Sequence, residues 1–291
     1  MHQYLEAIGF EGIQSKQELR DLLQEVENTF THQIVMSYTD EEDFCELKKE
    51  YAQSTGIAVC GELDKNDQFD ADYYFPYFEG SGVTTCAEIT VEKKIDKEQY
   101  VGICEDPRAE FSLMFHLQNG IEYVKESQFG YAREKEIPVT LSGLALKGTI
   151  LFPISKSEEQ QKQEREESRN RKKLLSAARR GDQIAMETLT MDDIDIYSKV
   201  SRRLASEDVF SIVNTYFMPH GIECDLYAIL GEILAVRERV NSRTGEKLYQ
   251  MKLNVNELQI DICVPKKRVL GEPEIGRRFK GKIWLQGYLH F

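Results

Sequence analysis

The residues best equipped for chemistry lie near the carboxyl end of the 291-residue chain. From Phe279 to Phe291 the positions alternate, so Lys280, Lys282, Trp284, Gln286 and Tyr288 fall on one face of a strand. Arg277 and Arg278 lead into that strand, and Lys266, Lys267 and Arg268 precede them in a loop. Trp284 is the single tryptophan. Rings flanked by cations suit single-stranded nucleic acid: rings stack on bases, worth about 1–3 kcal/mol each, while cations follow phosphates. A structural reading competes with this one. Trp284 and Tyr288 would be covered by helices expected over residues 182–217, and the lysines would protect an edge strand. In a third reading the patch meets the acidic front half of the same chain or of a second copy.

Other candidate groups carry less. Asp64 and Asn66 fit the first two ligand positions of a calcium loop, but Phe69 stands where its sharp turn requires glycine, and Phe75 where the bidentate glutamate belongs. The segment containing Asp67 therefore reads as a solvated loop. Glu79-Gly-Ser-Gly-Val has no following Lys-Ser/Thr and reads as a turn, not a phosphate cradle. Histidines 2, 32, 116, 220 and 290 stand at no zinc-ligand spacing with any cysteine. There is no Gly-x-Ser-x-Gly elbow and no His-Glu-x-x-His. The sequence singles out no catalytic residue, no metal and no cofactor.

The formal net charge is −13, unevenly distributed. Residues 1–150 hold 13 Lys and Arg against 29 Asp and Glu, residues 151–222 hold 12 of each, and residues 223–291 hold 12 against 9. An acidic front half repels phosphates and anionic lipid, which argues against general affinity for nucleic acid or membrane. No run approaches the roughly 18 apolar residues of a membrane span. The first residues lack the basic and apolar stretches of an export signal. The six cysteines are widely spaced with no Cys-x-x-Cys, as expected of reduced, mostly buried thiols in the cytoplasm.

The elements that must position these residues read as an α+β chain. Leu19, Leu22, Leu23, Val26 and Phe30 recur at helical spacing behind Ser15, a suitable N-cap, and residues 41–51 are expected to form a second helix. From about residue 57 the period becomes two, and Asn119-Gly120 gives a hairpin signal. A long strand runs from Pro138 to Phe152 with bends at Gly143 and Gly148. Short connections favour antiparallel pairing. Residues 1–155 thus read as an antiparallel sheet with packed helices. Residues 157–173 contain no apolar side chain, so residues 156–181 read as a charged helical connector ending at Gly181. Asp182 can cap the next helix, Thr190 with Asp193 resembles a capping box, and Ser206 could cap a further turn. Residues 209–217 fit helix and strand equally. Residues 182–291 form a helical block followed by a small OB-like β-barrel.

Two stretches, Arg179 to Tyr197 and Leu270 to Gly287, resemble a domain-of-unknown-function family of anaerobic Gram-positive bacteria. The resemblance brings no activity with it. The leading expectation is a non-enzymatic cytoplasmic binding or scaffolding protein acting through protein–protein contacts or self-association, because charge is split between the halves and no catalytic group is concentrated. Single-stranded nucleic-acid binding through the barrel comes second. An undetected hydrolase comes third, and would need a deep cavity with two facing carboxylates or a Cys–His pair.

Overall fold

The computed structural model describes residues 2–291 except 38–41, 67, 95–98, 107, 110, 130–135, 155–157 and 205–207. It is mixed α+β, as the periodicity predicts. A 3-10 turn, Gln3–Ile8, precedes helix α1, Lys16–Thr29. The Ser15 hydroxyl accepts from the Glu18 amide at 3.1 Å, and the Glu18 carboxylate accepts from the Ser15 amide at 2.8 Å. This reciprocal cap fixes where α1 begins. Strands β1 (His32–Ser37), β2 (Glu42–Ala52), β3 (Thr55–Asp64) and β4 (Phe69–Phe78) follow in an antiparallel sheet of that order. The helix expected over residues 41–51 is therefore strand β2. Its residues Phe44 to Lys48 are all buried, and both edges are paired, to β1 and to β3. A strand enclosed on both faces shows no alternation, which hides its period.

The second sheet begins with β5 (Thr85–Lys93), β6 (Tyr100–Cys104) and β7 (Leu113–Leu117). Helix α2, Gly120–Phe129, starts where a hairpin is expected. The chain cannot turn back at Asn119-Gly120, because the Asn119 side chain is fastened to the last strand, accepting from the Leu289 amide and donating to its carbonyl. Strand β8, Glu136–Leu151, then precedes helices α3 (Glu158–Arg179) and α4 (Gln183–Leu204). Gly181 takes a left-handed φ of +88° between these two helices, and the Asp182 carboxylate accepts from the Ala185 amide at 3.1 Å. No new helix starts at Thr190, whose hydroxyl donates to the Met186 carbonyl within α4. The Ser206 cap lies outside the described residues. The ambiguous stretch is both things in turn: helix α5, Val209–Ile212, and strand β9, Tyr216–Pro219. Strands β10 (Leu226–Val240), β11 (Lys247–Val255), β12 (Leu258–Pro265), β13 (Val269–Leu270) and β14 (Arg278–Leu289) complete the chain.

The backbone of the second sheet is the antiparallel ladder between β8 and β14, from Val139 opposite Leu289 to Leu151 opposite Arg278. The other edge of β8 pairs with β5 near its start and with β12, in parallel, farther on. The other edge of β14 pairs with β10 over its first half and with β7, in parallel, near its end. Adding the pairs β5–β6, β6–β7, β10–β11 and β11–β12 closes two circuits that share the β8–β14 ribbon. Strands from before and after residues 156–181 thus lie in one sheet, so the expected units 1–155 and 182–291 do not correspond to separate sheets.

The odd-numbered side of β14 faces the core inside these circuits, as its alternation predicts: Phe279, Ile283, Leu285 and Leu289 are fully buried. A second core lies on the opposite face. There Trp284 and Leu144 pack with the Gln3–Ile8 turn, α1 and the four-stranded sheet. Gly148 and Gly281 are paired across the ribbon, and a Cβ on Gly148 would stand 2.1 Å from the Phe279 ring. Gly148→Ala should therefore lower stability by about 1–3 kcal/mol through overpacking. The measurement is denaturant unfolding, and Phe279→Leu in the same chain should recover part of the loss.

Candidate functional site

The expected recognition face is divided between the protein interior and one cleft. Trp284 is only 6% exposed. Its indole Nε1 donates to Asp225 Oδ2 at 2.9 Å, and its rings stack on Tyr4 with centroids 5.5 Å apart. His2 and His116 flank it at 4.6 and 5.0 Å. Gln286 is fully buried, donating to the Pro76 carbonyl and accepting from the Phe78 amide and the Gln118 side chain. Tyr288 is half-buried and donates to Glu122 on α2. The cover on Trp284 thus includes the first residues of the chain, where the sequence points to the helices of residues 182–217. Residues far apart in sequence leave no local trace of such a contact.

Arg278 is also buried. Its guanidinium donates to the carbonyls of Phe152, Val213 and Phe210, which lie where the chain leaves the sheet toward α3 and α4 and where it returns. Arg277 pairs with Glu274 at 2.9 Å, so neither arginine is held out for a ligand.

Lys280 and Lys282 remain available. They line a cavity of about 560 Å³ on the outer face of the ribbon, beside the Gly148–Gly281 pair. Leu146, Leu226 and Ala228 give it apolar lining, and Tyr4 and Tyr216 contribute rings. Lys147 and Arg268 also line it, as does His220. Arg268 is committed to the carboxylates of Glu11 and Glu6. Lys147, Lys280 and Lys282 have no ion-pair partner among the described residues, although Lys280 sits 4.0 Å above the Phe210 ring. Among the described residues the lining contains no carboxylate. Burial, and then the charges of Glu223 and Asp225, push the Tyr4 phenol up to about 12. The strand-by-strand reading misses Lys147, yet a signal exists. It is the single charged residue from Ile137 to Leu151.

Two further openings matter for the hydrolase reading. Glu79 and Asp261 line a cavity of about 120 Å³ between the sheets. It is well below the roughly 300–1,000 Å³ of small-molecule sites. Asp261 already accepts from the Ser81 amide and from Lys252 at 2.7 and 3.1 Å. A wider opening of about 750 Å³ holds Asp106, Arg108, Lys173 and exposed Cys86. There Arg108 makes a bidentate pair with buried Asp106, at 2.9 and 2.7 Å. The calcium-like loop folds onto itself: Asp64 accepts from the amides of Asn66 and Gln68, while Asp67 lies outside the described residues. Among the described residues no cluster of three metal-ligating side chains occurs.

The interior face carries the unusual electrostatics. Lys48 is buried with Glu46 at 3.2 Å, and donates to the Gln118 carbonyl at 3.3 Å. Burial lowers His116 from 6.5 to about 3, and both of its ring nitrogens lack partners among the described residues. Burial likewise lowers His2 from 6.5 to about 4. Lys94 adds to both shifts, and Lys48 adds to that of His116. Because the unfolded chain binds these protons near pH 6.5 and the folded chain resists them, stability should be full above that pH and fall as pH drops toward 4 and then 3. His116→Phe leaves the neighbouring rings packed, so it should flatten that fall. Urea midpoints measured between pH 4 and 7.5 check this, and an unchanged slope would exclude His116 as its source.

A family model described as "Domain of unknown function, E. rectale Gene description (DUF3881)" matches residues 5–287. No curated protein and no solved structure matches the chain. Among the described residues no helix is long and apolar enough to cross a membrane.

Proposed function

The chain belongs to this family of domains of unknown function, and we propose that it is a non-enzymatic binding protein acting through protein–protein contacts at the lysine-lined cleft. The observation that carries the reading is the set of three lysines without carboxylate partners among the described residues, above an apolar floor, on a chain whose net charge is −13. Cations left unneutralised on an acidic protein select an anionic partner, and the apolar floor supplies anchorage that salt does not screen. The partner is a protein segment with acidic side chains beside an apolar or aromatic anchor. In this reading the circuit of β10, β11, β12, β8 and β14 is an OB-like barrel whose fifth strand comes from the front half, and the protein works in the cytoplasm.

Single-stranded nucleic acid is the weaker reading. Trp284 is enclosed and Tyr288 is tied to Glu122, so neither presents a free ring face to a base. At the cleft Tyr216 is partly exposed, while Tyr4 is as buried as Trp284 and already stacked on it.

The test titrates the whole protein with a labelled peptide of alternating glutamates around one phenylalanine, with an oligothymidylate of equal charge alongside. Peptide binding with a dissociation constant below about 100 μM at low salt, lost in Lys147→Glu/Lys282→Glu, supports the reading. Oligonucleotide binding without peptide binding would transfer the cleft to the second reading. Sedimentation at low and high salt shows whether a second copy can act as the partner.

A further inference from the structure

We infer that the cleft between Lys147, Lys280 and Lys282 is a site for a phosphomonoester whose organic part carries one aromatic ring system. The inference rests on the reading of this cleft as the binding face and narrows its ligand.

The charge count comes first. Of the four basic side chains at the cleft that are permanently charged near neutral pH, Arg268 is already neutralised by Glu11 and Glu6. The remaining three lysines come from two adjacent strands, Lys147 on β8 and Lys280 and Lys282 on β14. Their positions follow from the ribbon itself. Gly281 is paired with Gly148, and the ladder shifts register between Gly281 and Ile283 against β8. Both glycines lie against the Phe279 ring on the core side, so the residues flanking them project from the other face into the cleft. One carboxylate cannot balance three cations gathered in this way. A phosphomonoester carries about −1.5 to −2 charges near pH 7 and offers three acceptor oxygens. Lysine ammonium groups, compact and rich in donors, suit such a dianion as point charges.

The apolar half of the cleft limits what the phosphate is attached to. Tyr216 contributes a partly exposed ring, buried Tyr4 closes one wall, and Leu146, Leu226 and Ala228 give an apolar surface. A cavity of about 560 Å³ holds one ring system with its phosphate and excludes a long strand of nucleotides. Lys280 is itself placed over the Phe210 ring, which steadies its ammonium group at the cleft edge. Two sources of this chemistry exist, a free nucleoside monophosphate and a phosphorylated tyrosine on a protein segment.

Trp284 reports on the site without modification, because it stacks on Tyr4, which lines the cleft. The intact protein is titrated, by tryptophan fluorescence and calorimetry, with adenosine monophosphate, a phosphotyrosine peptide, the same peptide unphosphorylated, the glutamate peptide and inorganic phosphate. The expected result is saturable binding of at least one of the two organic phosphates, at least about tenfold tighter than inorganic phosphate or the unphosphorylated peptide. Lys147→Ala/Lys282→Ala should weaken it about tenfold or more while leaving the melting temperature unchanged, since both side chains are exposed. Tighter adenosine monophosphate identifies a free nucleotide as the source, and a tighter phosphopeptide a modified protein. Binding of the glutamate peptide as tightly as the phosphopeptide would overturn the phosphate preference and leave the proposed function standing. Failure of all five ligands to bind below about 1 mM would overturn both.

Discussion

The constraint on which the rest depends is the ladder between β8 and β14. A ribbon buried on both faces over much of its length needs its backbone groups paired along both edges, since an unpaired buried amide or carbonyl costs about 1–3 kcal/mol. The two central strands, of 16 and 12 residues, pair with each other along one edge and take more than one neighbour along the other. These neighbours come in succession: β5, β12 and β13 along β8, and β10 and β7 along β14. Two strand circuits sharing one ribbon follow from that requirement, and so does the pairing of residues that lie far apart in sequence.

The two faces of the ribbon then have different tasks. The side bearing Phe279, Ile283, Leu285 and Leu289 fills the interior of the circuits. The opposite side bears Trp284 and Gln286, and the front of the chain closes over it. Asn241, at the turn after β10, helps to hold that closure by donating to the Ile8 carbonyl, while Trp284 is held between Tyr4, His2 and His116. Where the cover ends, at Gln3 and Tyr4, the same face opens into the lysine-lined cleft. The cleft is thus the uncovered remainder of a sheet face, with one wall made by the covering segment.

Much of this was legible wherever burial was one-sided. The alternation placed the odd-numbered side in the core from Phe279 to Leu289, although Phe291 lies past the strand and is exposed, and Ser15 marked the start of α1. Local reasoning failed where a strand is enclosed on both faces. Strand β2 carries Glu46 and Lys48 into the interior as a pair, and a sequence window sees only charges suited to a solvated helix. It failed again at Asn119-Gly120, where the asparagine is held by Leu289 across the sheet. For the site, Lys280 and Lys282 were legible because they flank a strict alternation, whereas Trp284 and Tyr288 were given a surface that the front of the chain occupies. Alternation tells which side chains share a face, but not what lies on that face.

Burial of the tryptophan also changes what the neighbouring lysines can do. An exposed Trp284 would offer a stacking platform open at both ends, suited to successive bases. With Trp284 enclosed and its Nε1 bonded to Asp225, the adjacent surface ends as a bounded cavity whose apolar lining is mostly aliphatic. A bounded cavity discriminates by size as well as by charge, because a ligand longer than its floor must leave either its anion or its apolar part in water. The same contacts that hold the front of the chain onto the ribbon therefore leave a bounded, lysine-lined cavity where an open face would otherwise lie. Any change that loosened Tyr4 from Trp284 would remove a wall of that site before it disturbed the core inside the circuits.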